Sequence, residues 1–223
     1  MTARPYVLLS VATSVDGYID DAGPERLVLS NEADLDRVDR VRAESDAILV
    51  GATTLRRDNP RLLVKSPVRR AERVASGRPP YPLKVTVTAG GDLDPELRFW
   101  HHGGDKLVYC PDPVVPKLRE RLGDRAEIAG LGADLDVGAI VGDLHRRGVG
   151  RLMVEGGGTL HTQFLTAGLA DEIHLAIAPF FVGDAAAPRF VNPGVFPNGP
   201  GHRMTLAEVR TVGDVALLRY RTT

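Results

Sequence analysis

The sequence predicts an α/β fold, with a mixed and mostly parallel β-sheet, helices on both faces and an antiparallel hairpin at the C-terminus. Two observations lead to this prediction. Short apolar runs typical of strands alternate with amphipathic segments typical of helices through most of the chain. Near its end, two β-type runs at 204–212 and 215–220 flank Gly213-Asp214, a pair typical of a two-residue hairpin turn.

Six further short runs have the composition of strands. The run from Ala47 to Val50 is wholly apolar and ends at Gly51, which is typical of a buried parallel strand that leads into a helix. The other runs predicted as strands are 6–12, 83–88, 106–110, 151–154 and 173–178. Because helix signals separate most of these runs, most of the strands are expected to be parallel.

The first helix is expected to begin at Ser30. Its hydroxyl is a suitable N-cap, and Glu32 and Asp34 would then lie in the first turn, where negative charge suits the helix dipole. The apolar stripe of this helix is predicted to consist of Leu35, Val38 and Val41. Asp136 is expected to cap a later helix, whose inward face is predicted to be Val137, Ile140, Val141 and Leu144.

Two shorter helices are predicted at 115–122 and 159–167, each stopped by a glycine. The stretch 65–82, rich in arginine, proline and serine, is predicted to be a long surface loop. It is too short to link separate domains, and the chain has no internal repeat. Residues 1–223 are therefore predicted to form a single domain.

Composition excludes several classes of function. The formal net charge of −1 over 223 residues gives no general attraction to nucleic acid or to an anionic membrane. Cys110 is the only cysteine, so neither an internal disulfide nor a zinc site of several thiolates is expected. The chain begins without a signal-peptide pattern, and no apolar run approaches the roughly 20 residues of a membrane span. A soluble cytoplasmic protein is predicted.

A glycine triplet follows the strand at 151–154. Gly156, Gly157 and Gly158 come after Glu155 and before the helix that begins near Thr159. Bare backbone lets a phosphate approach the unpaired N–H groups of a helix start. The alternative is a tight turn that needs a positive φ at one position, for which one glycine would suffice. The pattern matches neither common nucleotide-binding fingerprint, because His161 stands where a last glycine would be required and no Gly-Lys-Ser/Thr follows.

A second strand ends in the same way, at Gly51, with Thr54 in the segment that follows. Two such turns at one sheet edge could hold the two ends of a dinucleotide, since ligands of open sheets lie at the carboxyl ends of parallel strands. Shortly afterwards comes Asp58-Asn59-Pro60-Arg61, with Lys65 beyond it. A carboxylate and an amide flanked by cations suit a polar ligand that carries a phosphate.

These motifs resemble those of the riboflavin-pathway pyrimidine reductases. The resemblance rests on I-L-V-G-A-T-T-L followed by D-N-P-R-L, on V-E-G-G-G-T-L, on S-V-D-G-Y-I-D near the start and on D-E-I-H-L-A-I-A-P-F-F-V-G-D near the end. It extends over nearly the whole chain in the family's order. It implies the three-layer, dihydrofolate-reductase-like fold, a homodimer, and reduction by NADPH of a ribosylamino-pyrimidine 5′-phosphate at C1′ of the opened ribose.

The resemblance also implies roles for individual residues. Asp58 and Glu155 would lie beside the reacting sugar and the nicotinamide. Residues that would line the cofactor are Gly51, Thr54, Gly156, Gly157, Gly158 and Thr159, with Thr88 beside Gly90 and Gly91 as candidates for the 2′-phosphate. Residues that would hold the substrate are Ser10, Ser30, Arg42, Asn59, Arg61 and Lys65, of which Arg42 and Lys65 would lie near its phosphate.

Several of these residues have simpler interpretations. Asp58 would also suit a cap of the Asn59-Pro60 turn, and the Arg42 stem could lie along its helix with its charge in solvent. Lys65 could be an ordinary solvated charge. His101 and His102 lack further ligands at metal-binding spacing, so no metal site is predicted, and His161 is expected to be a surface or near-site residue.

Other activities remain compatible with the sequence. One is a dihydrofolate-reductase-like enzyme acting on a pterin or a modified pyrimidine in another pathway, and another is a non-catalytic nucleotide-binding sensor. The zinc deaminase that many bacterial members carry is not expected, because no H-x-E with P-C-x-x-C is present. In members that act on the deaminated pyrimidine, a lysine stands about where Ser10 stands here.

Overall fold

The computed structural model describes residues 4–23 and 25–222. The strands in these ranges are short, as the sequence predicts. In chain order they are β1 (Tyr6–Thr13), β2 (Ala47–Gly51), β3 (Leu83–Val87), β4 (Lys106–Cys110), β5 (Glu127–Gly130), β6 (Arg151–Val154), β7 (Glu172–Ile177), β8 (Thr205–Val212) and β9 (Val215–Arg221).

The helices separate the strands over most of the chain. They are α1 (Glu32–Glu44), α2 (Ala52–Asp58), α3 (Pro67–Ala75), α4 (Arg98–His101), α5 (Val115–Leu122), α6 (Val137–Arg146) and α7 (Gly158–Thr166). None of the helices in the described ranges is long and apolar enough to pass through a bilayer.

The chain divides into two compact units. One comprises Asp39–Met153 together with the N-terminal residues up to Pro5, and the other comprises Tyr6–Val38 and Val154–Thr223. In the first unit the strand order is β5-β4-β3-β2-β6, and in the second it is β1-β7-β9-β8.

Strand directions confirm the predicted mixed, mostly parallel sheet. In the first unit β2–β3, β3–β4 and β4–β5 are parallel pairs. In the second unit β1 and β7 are parallel, whereas β9 is antiparallel to both β7 and β8. The turn between β8 and β9 is Gly213-Asp214, with Gly213 at a φ of 65°, so the predicted two-residue hairpin is confirmed.

Apolar side chains of the strands and helices form the interior of the first unit. The chain that turns from β2 into α2 contributes Val50 and Leu55, and α5 contributes Leu118 and Leu122, all of them buried. Helix α6 begins as predicted, since the Asp136 carboxylate accepts a hydrogen bond from the Ala139 N–H at 2.8 Å. Its inward face is also as predicted.

The expectation for the start of α1 is wrong in two respects. Asn31, not Ser30, is the cap, because the Asn31 amide oxygen accepts a hydrogen bond from the Asp34 N–H at 2.8 Å. Leu35 is exposed, and the buried face contains Asp34, Arg37 and Val41. A charged pair takes the inward positions that the hydrophobic pattern had assigned to leucine. Burial of a carboxylate and a guanidinium is tolerated when they pair with each other.

The stretch predicted as a long surface loop contains helix α3. The Ser66 hydroxyl accepts a hydrogen bond from the Arg69 N–H at 3.3 Å, and Pro67 occupies the first turn, where its missing N–H costs nothing. The hydrophobic pattern missed this helix because Arg73 supplies its buried contact. Its guanidinium donates to the carbonyl oxygens of Ala43 and Ser45, both at 2.7 Å.

A second buried cation, Lys84 of β3, binds backbone carbonyls of the segment around α4. Its ammonium donates to the carbonyl oxygens of Phe99 and His102, the latter at 2.6 Å, and to that of Arg61 at 3.2 Å. The same ammonium lies 4.6 Å from the centre of the Phe99 ring. Lys84 therefore joins three backbone carbonyls from two segments of the chain, and its bond to the Phe99 carbonyl is buried. Burial lowers the pKa of the Lys84 ammonium to about 7.

We expect Lys84→Met to lower the free energy of unfolding by about 2–4 kcal/mol at pH 7, because it removes the donor of three hydrogen bonds to backbone carbonyls, one of them buried. Chemical denaturation measures the change. The folded-state pKa lies below the unfolded value, so between pH 7 and about 10 the unfolded state binds the proton that the folded state releases. The stability of the wild type relative to Lys84→Met should therefore rise with pH in that window.

The matched control is Lys106→Met on the neighbouring strand, because Lys84 and Lys106 are partners in the β3–β4 register and Lys106 is only half-buried. We expect that variant to lie within about 0.5 kcal/mol of the wild type. Equal losses in the two variants would show that the three carbonyl contacts do not stabilise the fold.

Candidate functional site

The turn from β2 into α2 starts a helix without a side-chain cap. Gly51 ends β2 and is the N-cap of α2, with φ −74° and ψ 153°. No side chain caps this helix, and its first turn contains no acidic residue. As at every helix start, the N–H groups of the first turn have no intrahelical acceptor, and here Gly51 has no side chain to supply one. Thr54 lies in this turn. In α3 and α6, by contrast, Ser66 and Asp136 occupy the corresponding N–H groups.

The end of α2 places Asp58 and Asn59. Asp58 is the last residue of the helix and is half-buried. Asn59 has left-handed backbone angles, φ 42° and ψ 53°, and its N–H donates to the Leu55 carbonyl at 3.1 Å. The Asn59 side-chain oxygen accepts a hydrogen bond from the Arg98 N–H at 2.7 Å. Asn59 thus ends the helix, and its amide oxygen is engaged inside the protein.

The loop after Asn59 is anchored by a buried residue that sequence reasoning missed. Asp39 of α1 is buried, and its carboxylate accepts hydrogen bonds from the N–H groups of Lys65 and Ser66, the second at 3.2 Å. It also pairs with the Arg69 guanidinium at 2.9 Å. Arg42 contributes a further contact, since its guanidinium donates to the Leu63 carbonyl at 3.2 Å. These contacts fix the course of the loop that carries Arg61 and Lys65.

The loop after β3 is held by Thr88 and bordered by cations. The hydroxyl of Thr88, which is buried, accepts a hydrogen bond from the Gly91 N–H at 3.1 Å. The Lys117 ammonium donates to the Gly90 carbonyl at 2.7 Å, and the Arg56 guanidinium donates to the Asp92 carbonyl at 2.9 Å. Sequence analysis selected Thr88 but neither cation, because both come from other elements of the chain.

In the second unit, two of the three consecutive glycines have a structural cause. Gly156 has a φ of 115°, which residues with a side chain rarely adopt. A Cβ on Gly158 would overlap the carbonyl oxygen of Arg189, because the segment around that residue lies against the start of α7. Gly157 is the N-cap of α7 and has no side chain that could accept from the N–H groups of the first turn. Glu155, half-buried, precedes this turn directly.

His161 lies beside the glycine turn, so of the two positions expected for it the surface one does not hold and the one near the candidate site does. Its ring is buried, and its Cε1 atom is 3.5 Å from the position of a Cβ built on Gly156. Burial lowers the pKa of His161 to about 4, so the ring is neutral at pH 7. The ring also packs edge-on against Phe190, with 5.3 Å between the centroids.

The segment after Phe190 contacts the same helix start. The Asn192 amide lies 3.4 Å from the Thr159 hydroxyl, and the Asn192 N–H donates to the Thr162 hydroxyl at 2.8 Å. Thr159 is therefore held by a segment far away in the sequence. No local pattern in the sequence pointed to Asn192.

Ser30 begins a series of hydrogen-bonded polar groups that reaches His174, the strand partner of Ser10. The Ser30 hydroxyl donates to Asp34 Oδ2 at 2.6 Å, and the Arg37 guanidinium donates to Asp34 Oδ1 at 2.6 Å. Arg37 Nη1 lies 3.3 Å from Nδ1 of His174. His174 of β7 is the register partner of Ser10 of β1, so the two side chains point to the same face.

The protonation of His174 follows from its neighbours. Arg37 is always a donor, so Nδ1 of His174 accepts, and Nε2–H then donates to Glu172 Oε1 at 3.1 Å. Burial lowers the pKa of His174 to about 4, which keeps the ring neutral. Burial alone would raise the pKa of Glu172, but hydrogen bonds from Tyr6 and Arg219 outweigh it and lower that pKa to about 2.

Acidic and histidine side chains do not form a metal cluster in the described ranges. Among residues 4–23 and 25–222, no group of three or more His, Cys, Asp or Glu side chains could hold a metal ion.

Comparison with known proteins identifies the family. The profile of the RibD C-terminal domain matches residues 5–218. A protein of Archaeoglobus fulgidus named 2,5-diamino-6-ribosylamino-4(3H)-pyrimidinone 5′-phosphate reductase is 41% identical over 190 residues, which cover 83% of this chain and 85% of that protein. A protein of the same name from Methanothermobacter thermautotrophicus is 33% identical over 219 residues, covering 97% and 98%.

A solved structure shows the same fold. It is that of a pyrimidine reductase-like protein from Corynebacterium diphtheriae, with a TM-score of 0.80 at 22% identity, covering 98% of this chain and 92% of that one. The dihydrofolate-reductase-like fold that the sequence motifs implied is therefore confirmed. The chain belongs to the RibD C-terminal domain family, the pyrimidine reductases of riboflavin biosynthesis.

Proposed function

We propose that this protein reduces 2,5-diamino-6-ribosylamino-4(3H)-pyrimidinone 5′-phosphate with NADPH, delivering hydride to C1′ of the opened ribose and leaving a ribityl chain. The observation that carries the proposal is the likeness to two reductases of that name, one of which aligns with 97% of this chain. The protein would act as a single reductase domain, in the cytoplasm and as a homodimer.

The glycine turn of the second unit supports a nicotinamide dinucleotide as the cofactor. Gly157 caps α7 without a side-chain hydrogen bond, and Thr159 lies in the first turn of that helix. The N–H groups at the start of a helix bind phosphate oxygens. The family resemblance adds Gly51 and Thr54 to the proposed cofactor residues, and Gly51 caps α2 in the same way. The loop of Thr88 would receive the 2′-phosphate that distinguishes NADPH, and the nearby Lys117 and Arg56 would supply positive charge there. When bound, the cofactor supplies the hydride.

The remaining roles belong to side chains of this chain. Hydride transfer to an imine carbon requires a proton at the nitrogen, which Asp58 would donate or relay. Glu155 would orient hydroxyls of the sugar. Residues proposed to hold the substrate are Ser10, Ser30, Arg42, Asn59, Arg61 and Lys65, of which Asn59 acts through its free amide hydrogens or through the loop that it begins.

The test of the proposal is consumption of NADPH, followed at its near-ultraviolet absorbance, with the purified protein and three candidate substrates. These are the diamino-pyrimidinone phosphate, its deaminated counterpart and dihydrofolate. Turnover of a pyrimidine phosphate supports the proposal. Turnover of dihydrofolate alone would place the enzyme in another pathway, and cofactor binding with no turnover of any candidate would make the protein a sensor.

We expect Asp58→Asn to fold and to bind NADPH while its turnover falls by on the order of 10²-fold, since the amide keeps the shape of the carboxyl group but cannot supply the proton. Steady-state kinetics and melting curves measure the two effects. The matched control is Asp94→Asn, an exposed aspartate of a turn in the same unit. Turnover like that of the wild type in Asp58→Asn would leave Asp58 a purely structural residue at the end of α2.

We expect NADPH to stabilise the protein more than NADH does. At about 100 times its dissociation constant, a ligand stabilises the folded state by roughly 2.7 kcal/mol, a shift that thermal melting detects. Lys117→Met should reduce the difference between the two cofactors, because it removes one cation beside the Thr88 loop. Equal melting shifts with both cofactors would contradict the proposed preference.

We expect weak discrimination between the two pyrimidines, or a preference for the amino-bearing one. Ser10 is neutral and can donate or accept a hydrogen bond, so it does not demand the ring carbonyl that deamination creates. Competition between the two substrates in one assay measures the ratio of their kcat/KM values. A strong preference for the deaminated pyrimidine would mean that another residue does what the lysine does in the resembling enzymes.

A further inference from the structure

The hydroxyl of Ser30 is held in one hydrogen-bonding direction. It lies 2.6 Å from Asp34 Oδ2, and Ser30 itself is only partly buried, so a ligand can reach it. Asp34 is completely buried. A carboxylate has no proton to give, so the single hydrogen of the Ser30 hydroxyl points at Asp34. What remains for a ligand at Ser30 is the oxygen, which can only accept.

Arg37 binds the Asp34 oxygen that Ser30 does not occupy. Arg37 Nε lies 2.6 Å from Asp34 Oδ1, with the Arg37 side chain 7% exposed. A guanidinium does not lose its proton in a protein, so it stabilises the ionised carboxylate and cannot accept in return. Asp34 is also tied to the helix start, since its N–H donates to the Asn31 side chain at 2.8 Å.

The hydrogen bonds beyond Arg37 also have fixed directions. Arg37 donates to Nδ1 of His174, and Nε2–H of the same ring is directed to Glu172. Glu172 accepts from the Tyr6 hydroxyl at 2.7 Å and from Arg219 Nε at 2.8 Å. If the Ser30 hydrogen turned outward, Oδ2 of the buried Asp34 would lose the hydrogen bond that Ser30 donates to it.

We propose that Ser30 is a specificity-determining residue that selects a hydrogen-bond donor of the substrate, an amino N–H or a sugar O–H, and disfavours a carbonyl or phosphate oxygen. The inference rests on the proposed function and assigns Asp34 and Arg37 as positioning residues that set the direction of the Ser30 hydroxyl. Ser10 differs, because no neighbouring side chain in the described part of the chain receives or donates a hydrogen bond at its hydroxyl.

The direction restricts how the substrate lies. A diamino-pyrimidinone ribosyl phosphate carries amino groups and sugar hydroxyls that donate, whereas its ring carbonyl and its phosphate oxygens accept at neutral pH. A donor of the ring or of the sugar therefore faces Ser30, and the phosphate lies elsewhere.

The test is a double-mutant cycle of Ser30→Ala and Asp34→Asn, read out as KM for the diamino-pyrimidinone phosphate and KM for NADPH. Ser30→Ala removes the acceptor, so KM for the pyrimidine should rise roughly 3- to 10-fold. In Asp34→Asn the amide oxygen can face Arg37 and the amide nitrogen can donate to Ser30, which turns the serine hydrogen outward. KM for the pyrimidine should rise by about 10-fold or more, because two donors then meet.

The coupling decides between a directional and a structural role. If Asp34 acts through Ser30, Asp34→Asn has no further effect on KM for the pyrimidine once Ser30 is alanine, and KM for NADPH stays within about twofold throughout. An equal effect of Asp34→Asn in both backgrounds would overturn the inference. So would an unchanged KM in Ser30→Ala.

Two further variants keep the test decisive. Asp214→Asn is the matched control, since it makes the same chemical change at an exposed carboxylate that contacts Asn31 and not Ser30, and its KM values should equal those of the wild type. If Asp34→Asn alone fails to fold around the buried Arg37 charge, Asp34→Asn with Arg37→Gln removes that charge and is used in the same cycle. A wild type that reduces no pyrimidine phosphate would overturn the proposed function, whereas failure of the inference alone leaves wild-type turnover intact.

Discussion

Burial of charged side chains on α1 is the constraint on which the polar clusters around Asp34 in one unit and around Asp39 in the other depend. A carboxylate removed from water must meet donors, and Asp34 and Asp39 each collect several. Asp39 gathers the N–H groups of the loop that follows α2, and Asp34 gathers a serine hydroxyl and a guanidinium. In both cases a buried acid fixes the polar groups that donate to it, and an apolar residue of the same size would leave those groups without a fixed position.

The regular elements were predictable because their signals are local. The predicted strands, the Gly213-Asp214 hairpin and the Asp136 cap each depend on a few adjacent residues, and the structure has them where the pattern placed them. Strand β5 (Glu127–Gly130) was not predicted, since its four residues do not form an apolar run. Helix α3 was missed because its inward contact is Arg73, which a hydrophobic pattern counts as polar. Ser30 was chosen as a cap because serine and asparagine are equally good caps, and only the geometry shows that Asn31 takes the role.

The candidate site was predictable only in part, and for a related reason. Glycine turns and the Asp58-Asn59 pair stand out in the sequence, but their partners come from distant segments. Asp39, Lys117 and His174 carry no motif, and their importance follows from the side chains that they meet. The triplet of glycines is instructive, because positive φ at Gly156 and the backbone near Gly158 require two of the three whether or not a phosphate binds.

Because the start of α7 contacts the segment from Arg189 to Asn192, opening of the glycine turn can be measured at that segment. The backbone of this segment lies so close to Gly158 that no side chain fits between them. The backbone N–H of Asn192 donates a hydrogen bond to the Thr162 hydroxyl. Amide hydrogens exchange with solvent only when such bonds open. The exchange rate of the backbone N–H of Asn192 therefore reports how often the two segments separate. A ligand that binds at the glycine turn would slow that exchange without touching Asn192.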